Sequence, residues 1–387
     1  MTPLVLILTS FFTMISAVNL IVSSYAGQIT SLSLRQMENG EQSLTKLSVI
    51  NSTTPQPSWL EKSGETIFLA NENFIGPNGS LLPFKISDTG ELSTIQQSVN
   101  TPAGPVSIVA FNQGKALAVA HYASAVSSYA LSSDGSLKPL QTFFFQGPLG
   151  PHPRQESSHP HQVILDPSEK FIVVPDLGSD LIRVFSIDDS SHLTEQKPFP
   201  VTSGSGPRHG GFSQTGQGSE QKTFFYLVSE IVNTVSSYAV SYNEVSLNFT
   251  LISTSDVLNQ TSPPGLASAE LIVSPDMKFV HTSARNATLL SIPNPSASNT
   301  SAIPSDTLQS WKIDPNTGSL NFQQLAPAGG RGPRHFSLNK DGTKAAVALN
   351  GDGRVVVYER NVESGDFGKM IASANVEGEL SCVIWDE

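Results

Sequence analysis

Two copies of Gly-Pro-Arg-His, at 206–209 and 332–335, and a His-Pro-His at 159–161 are the places where this chain groups residues able to do chemistry. Imidazoles move protons near neutral pH, and guanidiniums hold carboxylates or developing oxyanions through paired N–H donors. Acids and further cations stand at the ends of short apolar runs: Glu230 closes FFYLVSE and Arg285 closes FVHTSAR. A set of this kind suits acid/base work on a carbonyl or carboxylate compound. The two histidines of His-Pro-His, with His152, also raise a metal site, but no carboxylate stands at ligand spacing and Pro160 favours a loop, so no metal is expected. No G-x-S-x-G elbow, P-loop or strand-borne G-x-G-x-x-G is present, and no cofactor is expected.

The elements that position these residues are clearest in SHPHQVILDPSEKFIVVPDLGSDLIRVFSID, residues 158–188. Three apolar runs are separated by the turn clusters DPSEK and DLGSD, which reads as short strands joined by tight turns. Relatives of FIVVPD recur as TIFLAN (66–71), ALAVAH (116–121), FFYLVSE (224–230), FVHTSAR (279–285) and AAVALN (345–350). Most follow a turn such as SPDMK or NKDGTK and precede a third run such as AVSSYAL or VVVYER. A period of roughly 50 to 65 residues with four strands each is the signature of propeller blades. Units begin near 51, 98, 143, 196, 253 and 324, and the N-terminal strands with the C-terminal SCVIWDE make a seventh that closes the ring. The fold expected is all-β, a seven-bladed propeller of four-stranded antiparallel blades in a single domain over 18–387. Pro/Ser-rich stretches at Gly147–Ser158 and Ile292–Thr307 read as loops.

In a propeller the residue before a blade's first strand and the residue after its second meet at one mouth of the channel. The opening slots hold His161, Arg208 with His209, and Arg334 with His335; the closing slots hold Asn71, His121, Asp176, Glu230, Arg285 and Asn350. Converging acids, bases and guanidiniums at a channel mouth make a candidate site. The same residue types also bridge blades and satisfy loop backbone groups, so each has a structural reading beside the functional one.

Composition bounds the rest. A formal net charge of −11 argues against a nucleic-acid partner. Residues 3–21 are apolar, with no charge before Arg35, which reads as a signal peptide over 1–17 cleaved after Ala17; a single membrane anchor is the alternative. Sequons at Asn51, Asn78, Asn248, Asn259, Asn286 and Asn299 agree with a secreted, glycosylated protein. Cys382 is the only cysteine, so no intrachain disulfide forms. We expect an extracellular monomer that leaves the membrane on signal cleavage.

The 158–188 stretch, GPRHGGF, YLVSE and the late GPRHFSLNKDGTKAAVALNGDGRVVVYER together resemble the seven-bladed lactonase family, which contains propeller 6-phosphogluconolactonases and fungal carboxy-cis,cis-muconate cyclases. The resemblance covers nearly the whole mature chain. It implies a metal-free site at one mouth, with its catalytic His on His161, its Arg residues on Arg208 and Arg285, and its Glu on Glu230. The substrate the resemblance implies is a small lactone or carboxylate, and the remaining slot residues Asp176, His209, Arg334, His335 and His121, chosen by their place at the mouth and not by the family pattern, would contact it. Glu230 or His161 would be the base, the other the acid. A muconate cyclase would use the same parts differently, with arginines on the substrate carboxylates and an acid protonating carbon. A binding propeller without catalysis is the third reading. A phosphorylated sugar lactone is a cytoplasmic metabolite, so a secreted chain points to an unphosphorylated or aromatic-derived lactone.

Overall fold

The computed structural model describes residues 17–51, 55–74, 76–243, 245–294 and 301–387. The chain winds into seven antiparallel sheets arranged as blades. Blade 1 joins the two ends: Gln42–Asn51, Gln28–Gln36 and Ala17–Ser24 are followed inward by Leu380–Asp386. Ala17–Ser24 and Gln28–Gln36 pair as a hairpin. The first strands of blades 2, 3, 5, 6 and 7 are Pro57–Ser63, Pro105–Phe111, Pro207–Thr215, Ala267–Val273 and Pro333–Leu338. In blade 4 only Ile164–Leu165 is regular, extended by a bridge between Pro160 and Asp176.

FIVVPD shows why the runs are apolar without alternation. Phe171 and Val173 enter the cluster shared with blade 5, whereas Ile172 and Val174 enter the one shared with blade 3. A middle strand is buried on both faces, so its residues are apolar up to the polar one that closes it. Seven such clusters lie one at each blade–blade contact, including blade 7 against blade 1. The core is therefore a ring of thin layers, which a chain of 38% apolar content can fill.

The turns are built on a side-chain acceptor in the first position. In DPSEK, Asp166 Oδ1 accepts the amides of Lys170 at 2.9 Å and Phe171 at 2.8 Å. Ser274 accepts Phe279 N–H at 3.0 Å and Asn339 accepts Lys344 N–H at 2.7 Å in the matching turns.

Two expectations change. The units start later than read: 143, 253 and 324 fall inside Leu137–Phe144, Leu247–Asp256 and Leu320–Pro327, the outer strands of the preceding blades. The stretch Ile292–Thr307 is not simply a loop, because Leu290–Pro293 pairs with Ala302–Ser305 in an extra hairpin before the third strand of blade 6, Thr307–Ile313. Asn51, Asn78, Asn248, Asn259 and Asn286 are exposed. Residues 1–16 of the expected leader, and Asn299, lie outside the described residues.

Candidate active site

The innermost strands of blades 5 and 7 each carry a bulge. Register slips between Pro207 and His209, and between Pro333 and His335, leaving Arg208 and Arg334 as the extra residues. A bulge breaks the in–out alternation, so two consecutive side chains both point into the channel. This divides the channel into two layers. Arg208, Arg334, His161 and Val106 line an upper pocket of about 280 Å³. Trp59, His209 and His335 lie below it, with Trp59 edge-on to both imidazoles at centroid distances of 5.7 and 5.0 Å.

At the centre of the pocket is Glu230. Its Oε2 is 2.8 Å from Arg208 Nε, its Oε1 is 3.2 Å from Arg285 Nη2, and Arg154 pairs with Oε1 as well. Burial works against the Glu230 charge, but Arg285, Arg208 and Arg154 outweigh it and hold the carboxyl far below the usual carboxylate range. Arg208 is also fixed by donating to the carbonyl of Ala269. Burial lowers its pKa to about 10 against the pull of Glu230, so it stays a cation at neutral pH. Across the pocket Arg334 is 3.7 Å from Glu72 Oε1, and Tyr25 donates its hydroxyl to the same oxygen at 3.1 Å. Burial raises Glu72 to about 7 despite Arg334. Four guanidiniums thus face one firm carboxylate and one half-titrated one, an electropositive mouth on a chain of net charge −11.

His161 lies on the wall beside these charges. Burial, then Arg208, push its pKa well below the ordinary imidazole value, so it is neutral. Its Nδ1 is 3.0 Å from His209 Nε2 and it meets Tyr122 edge-on at 5.8 Å. Its neighbour His159 turns away, with Nδ1 2.7 Å from the Tyr122 carbonyl and its ring stacked on Tyr122. Among the described residues no three His, Cys, Asp or Glu side chains converge as a metal site.

Of the residues singled out from the sequence, the pocket brings together His161, Arg208, Glu230, Arg285 and Arg334. His209 and His335 lie beneath it, buried. His121 and Asp176 do not reach it, and strand register gives the reason. His121 pairs with Pro105, as Ser229 does with Pro207; Asp176 likewise bridges Pro160. The true equivalents of Glu230 are one residue on, and a one-residue slip turns a side chain to the other face. Hence Glu72 and Tyr122 face the pocket, while His121 Nε2 is 2.7 Å from Ser127 Oγ and Asp176 pairs with Arg183 at 2.8 Å. Asp176 still serves the site indirectly, accepting His159 N–H at 2.7 Å in the segment that delivers His161.

The sequence reading missed Tyr25, Glu72, Phe74, Tyr122 and Arg154 in the pocket, and Glu270 below it. Arg154 comes from the Pro-rich 147–158 segment, where only its charge marks it. Glu270 fills the slot of His209 in blade 6 and was findable by setting ASAEL over GPRHG.

The sequence pattern described as "Lactonase, 7-bladed beta-propeller" matches residues 19–385. The chain is 31% identical over 320 residues to a protein named probable 6-phosphogluconolactonase in Arthroderma benhamiae, covering 81% of this chain and 76% of that one. It is 27% identical over 341 residues to a 6-phosphogluconolactonase of Formosa agariphila, covering 86% and 88%. Its fold superposes on a periplasmic gluconolactonase of Pseudomonas aeruginosa with a TM-score of 0.77 at 24% identity, over 96% of this chain and 99% of that one. Together with the closing of blade 1 by both chain ends, these matches place the chain in the seven-bladed β-propeller lactonase family.

Proposed function

We propose that this protein is a secreted, monomeric lactonase that opens an unphosphorylated sugar-type or related lactone without a metal, over a mature chain of 18–387. The observation that carries the reading is a neutral imidazole, His161, in one pocket with the Arg208–Glu230–Arg285 cluster. His161 is the base. Its Nε2 takes a proton from water, the hydroxide oxygen bonds to the lactone carbonyl carbon, and the carbonyl electrons move onto oxygen as an oxyanion. Arg208 and Arg285 stabilise that charge. The ring C–O bond then breaks, and the alkoxide takes the proton from the His161 imidazolium, leaving a hydroxy acid. Glu230 is a poor base, because three guanidiniums stabilise its ionised form; its part is to hold Arg208 and Arg285 in place. The apolar 3–21 segment and the exposed sequon asparagines Asn51, Asn78, Asn248, Asn259 and Asn286 support secretion and glycosylation.

A muconate-type cyclisation is the second reading. The surplus of guanidiniums, with Arg334 in the pocket beside the Arg208–Arg285 pair, favours it because a dicarboxylate would engage more than one of them. Purified protein incubated with sugar lactones, followed by acid release, and with carboxymuconate, followed by loss of diene absorbance, separates the two. Turnover of the lactones that survives a chelator supports the first reading. Turnover of carboxymuconate alone overturns it, and binding without any turnover points to a non-catalytic propeller.

A further inference from the structure

The lower layer of the channel holds ionisable groups that the reaction above does not use, and they stand within hydrogen-bond distance of one another in a line. Glu270 Oε1 accepts the Leu271 amide at 3.0 Å and lies 2.7 Å from His209 Nδ1. His209 Nε2 is 3.0 Å from His161 Nδ1. The three side chains form one file from the buried blade 6 strand to the pocket wall, all 6% exposed or less.

Each link fixes the next. Glu270 Oε1 already receives an amide N–H, which marks it as the accepting oxygen whether or not the other oxygen carries a proton. Burial does favour the protonated carboxyl, raising its pKa to about 8. His209 is neutral, because burial and then Arg208 push its pKa well down. A neutral imidazole whose Nδ1 donates to Glu270 presents a bare Nε2. His161 must then donate through Nδ1, which leaves its own Nε2 without a proton.

The surroundings hold the file in place. Trp59 packs edge-on against His209. His335 accepts the Val383 amide on Nδ1 at 3.3 Å, so its Nε2 carries the hydrogen, with Cys382 Sγ 3.8 Å and Glu270 Oε2 3.6 Å away. Glu270's backbone N–H donates to Ser283 Oγ at 3.1 Å.

We propose that Glu270 and His209 are positioning residues that hold His161 in the tautomer protonated on Nδ1, so that its Nε2 lone pair is presented to the pocket. The inference rests on the reading of His161 as the base. The file also serves the step that follows. When His161 becomes an imidazolium, its Nδ1–H points at the bare nitrogen of His209, which spreads the charge toward the Glu270 carboxyl without any net proton leaving the site. The opposite direction, with a Glu270 proton donated to His209 and a hydrogen on His161 Nε2, would leave His161 unable to accept a proton from water.

The test uses the full chain labelled with ¹⁵N-histidine, with His161 assigned by the signal lost in His161→Gln. In the wild type the His161 Nδ1 should resonate as protonated and the Nε2 as bare. Glu270→Gln keeps an oxygen in place of Oε1 and should retain this tautomer, with kcat within about 3-fold. Glu270→Leu and His209→Phe should give mixed tautomers and lower kcat by about 10- to 100-fold at unchanged KM, the scale for partners that orient a working imidazole. A wild-type His161 protonated on Nε2 overturns the proposal, and so does a folded Glu270→Leu with the wild-type tautomer and kcat. If Glu270→Leu does not fold, the wild-type tautomer together with the Glu270→Gln comparison decides. The expected tautomer without turnover of any lactone would sink the proposed function and leave this inference standing.

Discussion

Blades 5 and 7 contain the same four residues, Gly-Pro-Arg-His, in the same bulged place, yet the two arginines live differently. Arg208 has a side chain 3% exposed and an ion pair of 2.8 Å with Glu230. Arg334 is 22% exposed and stands 3.7 Å from its nearest carboxylate. The cause lies on the neighbouring strand. The residue closing the second strand of blade 5 is Glu230; its counterpart in blade 7 is Asn350, whose side-chain amide donates to the Leu380 carbonyl. Without an acid at that position, Arg334 has Glu72 of blade 2 as its carboxylate partner. The histidines diverge too: His209 Nδ1 lies 2.7 Å from Glu270 Oε1, whereas His335 accepts a backbone amide and stands 3.6 Å from the other oxygen of Glu270. The repeat supplies a slot, and the adjoining blade decides what occupies it.

Making the two blades alike is the strongest test of that account. Glu230→Gln gives blade 5 the amide of blade 7 and leaves Arg208 buried without its counter-charge. Removing one partner of a buried pair costs about 3–5 kcal/mol, so a clear drop in the unfolding midpoint is expected. The pH dependence has a definite sign. The folded carboxyl titrates below the unfolded one, so its contribution is present above the ordinary glutamate value of about 4.3 and is lost as pH falls below it. The variant should lack that acid-side slope, and a variant as stable as the wild type at pH 7 would remove Glu230 as the keystone. Next in size, Arg208→Lys should lower kcat/KM by about 10²- to 10³-fold, the scale for losing an oxyanion donor, because an ammonium cannot reproduce the guanidinium's fixed geometry. Arg334→Lys should act mainly on KM and by at least ten times less. Equal losses in the two would erase the distinction between the blades.

These differences also explain what could be read in advance. The propeller was legible because a middle strand buried on both faces must be an apolar run, and FIVVPD, TIFLAN and AAVALN all are. Ring closure by both chain ends followed from the same pattern. Within the site, Arg208 and Arg334 were visible through the repeated tetrapeptide, and Glu230 and Arg285 because charge at the end of an apolar run stands out. Glu72 and Tyr122 were hidden by one residue of register: Asn71 and His121 end their strands and are themselves polar, so nothing in the pattern says which of two adjacent residues turns inward. Glu270 was hidden in a strand that lacks the Pro-Arg signature, and Arg154 in a segment without periodicity.

The converse exchange probes the weaker blade. Asn350→Glu places in blade 7 the acid that blade 5 has, and should draw Arg334 away from Glu72. A rise in KM of about 5-fold for an anionic substrate, equivalent to about 1 kcal/mol of a partly exposed pair, is expected, with kcat unchanged. A fall in kcat matching the rise in KM would mean that Arg334 belongs to the reacting centre after all.

Glu72 provides the smallest and most specific effect. Its carboxyl is half-titrated at about pH 7, because burial raises it against the pull of Arg334. Below that pH it is neutral and Arg334 is free to engage an anion; above it the new carboxylate competes for the same guanidinium. In the wild type KM for an anionic substrate should therefore rise by about 2- to 5-fold as pH passes upward through 7, the worth of a weak ion pair. Glu72→Gln should show the low-pH value throughout, since the amide cannot ionise. Arg208 should contribute no such step, because Glu230 remains ionised across the whole range. A KM that climbs identically in Glu72→Gln would assign the titration elsewhere and take from blade 7 the one property that separates its arginine from that of blade 5: a counter-charge that comes and goes near neutral pH.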